Sequence, residues 1–134
     1  MELTDSKAIY IIEQFLYLMN NIGKVYGEHQ EAIRIAELET LDLRHETEFI
    51  DFNAADGFKH YKREQEVLRR RRNHKNQKEL LEIIHEYRRK NGASVDNLKS
   101  VISKIGSKRQ EQSQRKYKAR VLGDLRCGAL DINK

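Results

Sequence analysis

A chain of 134 residues suffices for one domain and is too short for two comfortable ones. With 35 % charged residues against 38 % hydrophobic ones, and no proline or tryptophan, it suits long exposed helices rather than a globule with a thick core. The net charge of +5 conceals a division: residues 1–56 carry four basic and twelve acidic side chains (−8), and residues 57–134 carry 22 basic and nine acidic ones (+13).

Such asymmetry is a cue for binding a nucleic acid or another polyanion. It equally fits two halves that neutralise each other and leave a positive excess. A single cysteine, Cys127, excludes an internal disulfide and fits a reducing compartment. The opening MELTDSK lacks the basic region of a signal peptide. The apolar run from Ala8 to Met19 is interrupted by Glu13 and Gln14, and falls short of the roughly 20 residues a membrane span needs. The expectation is a soluble cytoplasmic protein with no membrane partner.

In chain order, Thr4, Asp5 or Ser6 caps a first helix reaching about Tyr26, with Gly27 as a stop or a point of passage. Its apolar residues cover about half the circumference, more than one neighbouring helix can cover. This helix is expected to lie along the next two, or to meet a second copy of the chain through Ile11, Phe15, Leu18, Met19 and Ile22.

A second helix is expected over about residues 28–52, with Arg34, Leu38, Leu41, His45, Phe49 and Phe52 on one face. Asn53 reads as the N-cap of a third helix over 54–90, with Asp56 at the capping-box position. The short turn makes the two arms antiparallel neighbours. Facing the second helix, the stripe Phe58, Tyr61, Gln65, Leu68, Leu80, Ile83, Ile84 and Tyr87 is interrupted by a polar layer of Arg72, Asn76 and Glu79. Glu31 is the expected partner of Arg72.

Arg88, Arg89 and Lys90 complement the dipole of the last turn, and Gly92 is a natural C′ residue. Ser94 caps a short fourth helix carrying Val95, Leu98, Val101, Ile102 and Ile105. Residues 106–134 are charge-rich with few apolar anchors. They read as a flexible basic tail, within which YKARVLGDL is able to dock as a peptide. The expected fold is all-α: a helical domain over 1–105, built on a long antiparallel hairpin, followed by the tail.

For chemistry, the run RRRRNHKNQK over residues 69–78 holds six basic residues in ten. Four consecutive arginines on a helix point in four directions, so one acidic partner helix cannot satisfy them all. With Arg72 inward and Arg69 bordering the seam, Arg70 and Arg71 point outward beside Lys75 and Lys78. Exposed arginines of this kind hold phosphates through bidentate contacts. A solvated, partly ion-paired face is the competing reading. In the tail, Lys104, Lys108, Arg109, Arg115, Lys116, Lys118 and Arg120 make a second basic patch, with Tyr117 placed to stack on a base.

Enzyme and metal chemistry find little footing. His45-Glu46-Thr47-Glu48-Phe49 begins like a zinc-protease helix but has Phe49 where the second histidine belongs, so His45 reads as a seam histidine. A lone cysteine makes no zinc knuckle. Pairs such as Glu46/Glu48 and Glu37/Glu39 fall on different helix sides and make no acid–base pair. No glycine-rich phosphate loop or nucleophile elbow is present. The sequence reads as non-enzymatic, with no cofactor, metal or small-molecule substrate.

The stretch from Leu41 to Leu81 resembles a helical hairpin of small proteins from phages and prophages of Gram-positive bacteria. The resemblance rests on Leu41, His45 and Glu46, on Asn53, Ala54, Gly57 and Phe58, and on Arg71, Arg72 and Lys75. The terminal YKARVLGDL also looks like the tails of such proteins. It implies a phage accessory protein in the host cytoplasm that modulates a host or defence nucleoprotein machine, an inhibitor of a CRISPR-type complex being one form.

The functional expectation is binding to a nucleic acid or nucleoprotein complex through Arg69, Arg70, Arg71, Lys75, Lys78 and the basic tail. The alternative is a protein–protein module or dimeric scaffold using the apolar face of residues 8–26. The first depends on Arg70 and Arg71 carrying charge that nothing in the molecule cancels. Carboxylates of the same chain tied to both would remove it.

Overall fold

The computed structural model describes residues 2–117, 121, 130 and 131. The chain is helical throughout its main part: α1 spans Asp5–Phe49, α2 Ala54–Lys90 and α3 Gly92–Ser113. A two-residue antiparallel pair follows, β1 (Lys116–Tyr117) with β2 (Leu130–Asp131), in the register Lys116 to Asp131 and Tyr117 to Leu130.

The first two expected helices are one. Thr4 Oγ1 accepts from the Lys7 amide at 3.2 Å, capping α1, and the helix continues through Gly27 for 45 residues. Without proline, and with apolar or charged neighbours on both sides of the glycine, its cost of about 1 kcal/mol is not enough to end a helix. The break comes where Asn53 stands. Its side chain accepts from the Asp56 amide at 2.8 Å and starts α2. At the far end, the Asn91 amide and side chain both donate to the Tyr87 carbonyl, at 3.0 and 2.9 Å.

Gly92 opens α3 rather than acting as a C′ residue, so the short helix expected from Ser94 to Ile105 is longer at both ends. The boundary expected at residue 106 falls inside α3. Ion pairs one turn apart carry the helix onward, Lys108 to Glu111 at 3.1 Å and Arg115 to Glu111 at 3.8 Å.

The chain divides into two compact units, one of residues 17–92 and one of residues 1–16 with 93–134. The second holds the start of α1, α3 and the strand pair. Among its described residues Val95 is the most deeply buried, while Tyr10 and Ile11 are exposed.

In the unit of residues 17–92, the two long helices pack together. Contacts run in opposite order along them: Thr47 meets His60, Glu37 meets Arg71, His29 meets His74, and the Met19 carbonyl meets Arg88. The seam is narrow. Ala36, 0 % exposed, packs with Leu43 and Val67, and the buried Thr40 returns its hydroxyl to the Ala36 carbonyl at 2.8 Å. Ala36 and Thr40 are small, and the larger buried residues of the same stripe are Ile33 and Leu43.

This seam is not the one that the large apolar residues suggest. Leu38, Leu41 and Phe49 on α1 are exposed, as are Phe58, Tyr61, Leu68, Leu80 and Ile83 on α2. At 100° per residue, the stripe through Ile33, Ala36, Thr40 and Leu43 lies almost opposite the expected one. His45, expected in the seam, stands outside it, stacked on Phe49 and 3.8 Å from Glu48. The other four histidines line the seam instead. His60 lies beside Phe52, with Nε2 2.7 Å from Thr47 Oγ1, and His85 stacks on Tyr26 at 4.8 Å between ring centres. His29 and His74 meet through their Nδ1 atoms at 2.9 Å.

Candidate interaction surface

The basic run is the leading candidate from the sequence, and the rotated seam changes what it presents. Arg71 lies at the seam border, 26 % exposed, and donates through Nε and Nη2 to Glu37 Oε1 at 3.2 and 3.1 Å. Arg70 is paired with Glu39 on α1. Both arginines expected to project uncancelled charge are therefore tied to carboxylates of their own chain. Arg72, expected inward against Glu31, is exposed, and Glu31 pairs with Arg34 on its own helix at 2.6 Å. That bond lowers the Glu31 carboxyl below its usual value and raises the Arg34 guanidinium.

The remaining basic residues are scattered. Lys75 is half-buried, and so is Lys78, whose ammonium sits 5.6 Å from the centre of the Tyr26 ring. Arg69 borders an open groove of about 360 Å³ along α2, lined also by Tyr61, Glu64, Gln65, Leu68 and Arg72. Lys108 on α3 and Arg115 just beyond it share Glu111, whose carboxyl is held low chiefly by the Lys108 hydrogen bond, while Arg109 is exposed. Lys116 and Tyr117 form β1, and Lys118 and Arg120 lie outside the described residues, as does most of the YKARVLGDL segment.

The apolar interface expected on the first helix is also revised. Met19 and Ile22 are 3 % and 2 % exposed and belong to the interior, so they are not open to a partner. Phe15 is half-buried, and Ile11 and Leu18 are exposed. Of the five residues expected at that interface, three therefore remain accessible, beside the exposed Tyr10 and Tyr17.

A longer row of exposed apolar residues, in two clusters, lies on the outside of α2. Phe58, Tyr61, Leu68, Leu80 and Ile83 recur at helical spacing on the side away from the seam and are 44–71 % exposed. Polar Gln65, Arg72 and Asn76 complete the row. The signal for this face is present in the sequence, where the same residues read as the seam.

Among the described residues, no group of three or more histidine, cysteine, aspartate or glutamate side chains is placed to hold a metal ion. No helix of these residues is long and apolar enough to cross a membrane. The groove beside the seam, about 230 Å³, is lined by Glu39, Asp42, Glu46, Glu66, Arg63 and Arg70 over Leu43 and Val67. Glu39 is occupied by Arg70, and Glu46 lies 3.4 Å from His60 Nδ1. These carboxylates close the seam. Comparison with protein-family models, with curated proteins and with solved structures finds no match to this chain.

Proposed function

We propose that this protein is a non-enzymatic protein-interaction module: an antiparallel helical hairpin that presents the outer apolar stripe of α2 to a protein partner. The observation that carries the reading is the exposure of Phe58, Tyr61, Leu68, Leu80 and Ile83 in one row, each 44–71 % open to solvent. Exposed apolar residues clustered on one helix face, rather than scattered singly, mark an interaction site. The reading keeps the interaction module expected from the sequence and moves its face from residues 8–26 to α2. A phage accessory role, implied by the hairpin resemblance, is one setting for it.

Polyanion binding through the hairpin is the weaker reading, because Arg70 and Arg71, the arginines it depended on, are paired with Glu39 and Glu37. The two readings separate by salt and by nuclease. Complexes retained by the tagged chain should survive nuclease treatment and 0.5 M salt, and should be lost on Tyr61→Lys with helicity unchanged by circular dichroism. Retention that nuclease removes, and that Tyr61→Lys leaves intact, would overturn the proposal.

A further inference from the structure

We infer that the partner seated on the outer stripe of α2 is a second copy of this chain, laid antiparallel along the same stripe. The inference rests on that stripe being an interaction face, and adds the identity of what covers it.

A twofold interface requires a surface that complements itself when reversed. The α2 stripe has that layout. Inward from one end the row runs Phe58, Tyr61, Gln65, Arg69, and inward from the other Ile83, Leu80, Asn76, Arg72, with steps of three, four and four residues in both directions. Reversed on itself, Phe58 of one copy meets Ile83 of the other, Tyr61 meets Leu80, and Gln65 meets Asn76. Each apolar residue at the ends finds an apolar partner, and each amide finds an amide. Leu68 lies against the aliphatic stems of the central arginines, which carry apolar contact as well as charge.

The steps of three and four are those that keep two helices in contact over several turns. Area is also adequate. Side chains of this class bury about 150–250 Å² each when aromatic, and the five here are half open or more on average. With their flanks they supply several hundred Å² per copy, approaching the roughly 800 Å² per partner of a stable interface. The centre opposes association, since Arg69 and Arg72 of both copies gather there, with Glu64 beside them in the same groove. Pairing should therefore strengthen with salt, the reverse of polyanion binding.

The test is sedimentation equilibrium of the full chain from micromolar to several hundred micromolar, at 50 mM and 500 mM salt. A monomer–dimer equilibrium is expected, tighter at the higher salt. Tyr61→Lys and Leu80→Glu should each weaken it at least tenfold. The double variant should recover it, because the ammonium introduced on one copy then faces the carboxylate introduced on the other. Circular dichroism should show all three variants as helical as the parent. A chain that stays monomeric throughout overturns the inference, as does a dimer indifferent to the single substitutions or not recovered in the double one. A monomer that still holds nuclease-resistant complexes sensitive to Tyr61→Lys overturns only the second copy and leaves the interaction face standing.

Discussion

Arg71 on α2 reaches Glu37 on α1 with two nitrogens on one carboxylate oxygen, Nε at 3.2 Å and Nη2 at 3.1 Å. With the neighbouring Arg70–Glu39 pair, this contact turns the most basic run of the chain into part of a seam. Part of the acidic character of residues 1–56 thereby acquires a structural role: Glu37 and Glu39 supply carboxylates to two of the four arginines in the run. Charge asymmetry between halves reads here as complementarity across two packed helices.

Freeing the two arginines tests that assignment. In Glu37→Gln/Glu39→Gln both guanidinium groups lose their anionic partners while the helices keep their apolar contacts. Binding of a fluorescent DNA duplex, followed by anisotropy at 50 mM salt, should rise well above the parent and fall away by 300 mM. The exposed Arg70–Glu39 pair should contribute less than about 1 kcal/mol to stability, and a double-mutant cycle on Arg71 and Glu37 should return a coupling of about 0.5–1 kcal/mol.

The seam is tested by size. Ala36 is fully buried between the helices, so Ala36→Leu must force them apart and should cost about 1–3 kcal/mol in urea unfolding. Leu38→Ala and Phe49→Ala, in the stripe that faces solvent, should each stay within about 0.5 kcal/mol of the parent. A seam built on Leu38 and Phe49 would give the reverse order.

The helical class, the Asn53 turn and the extent of α2 are legible because capping and proline-free runs are local signals. The face that packs is not. Periodicity locates stripes without saying which one turns inward, and counting large apolar residues favours Leu38, Leu41 and Phe49 over the stripe holding Ala36 and Thr40. Ala36 and Thr40, though buried, are small or polar and rank low in a hydrophobicity count. That rotation also misplaces the arginines, since Arg71 rather than Arg72 then reaches the opposite helix. Likewise α3 runs past Gly106, where a Cβ would meet nothing, because the Glu111 ion pairs support the helix beyond its last apolar residue, Ile105.

Acid should loosen the exposed pairs. The Glu86 carboxyl is held below its usual value first by its hydrogen bond from Arg89, then by the charges of Arg89 and Lys90. Glu31 and Glu111 are lowered in the same direction by Arg34 and Lys108. A carboxyl depressed in the folded state contributes stability that is present above its unfolded value of 4.5 and is lost as pH falls through the folded one. Melting temperature should therefore decline as pH drops from 5 toward 2. Glu86→Gln should show a shallower decline, by a small margin because the pair is exposed. Thermal scans by circular dichroism read both.

The histidine pair in the seam gives a non-additive prediction. His29 and His74 face each other with Nδ1 atoms 2.9 Å apart, a distance at which one ring donates and the other accepts. Replacing one ring alone leaves the other's half-buried nitrogen without its partner, at a cost of about 1–3 kcal/mol. Replacing both with leucine removes the donor and the acceptor together and puts apolar surface on each side of the seam. His29→Leu and His74→Leu should thus each destabilise the fold in urea titrations, whereas His29→Leu/His74→Leu should lie close to the parent. A loss in the double variant equal to the sum of the two single losses would mean that the two rings act independently.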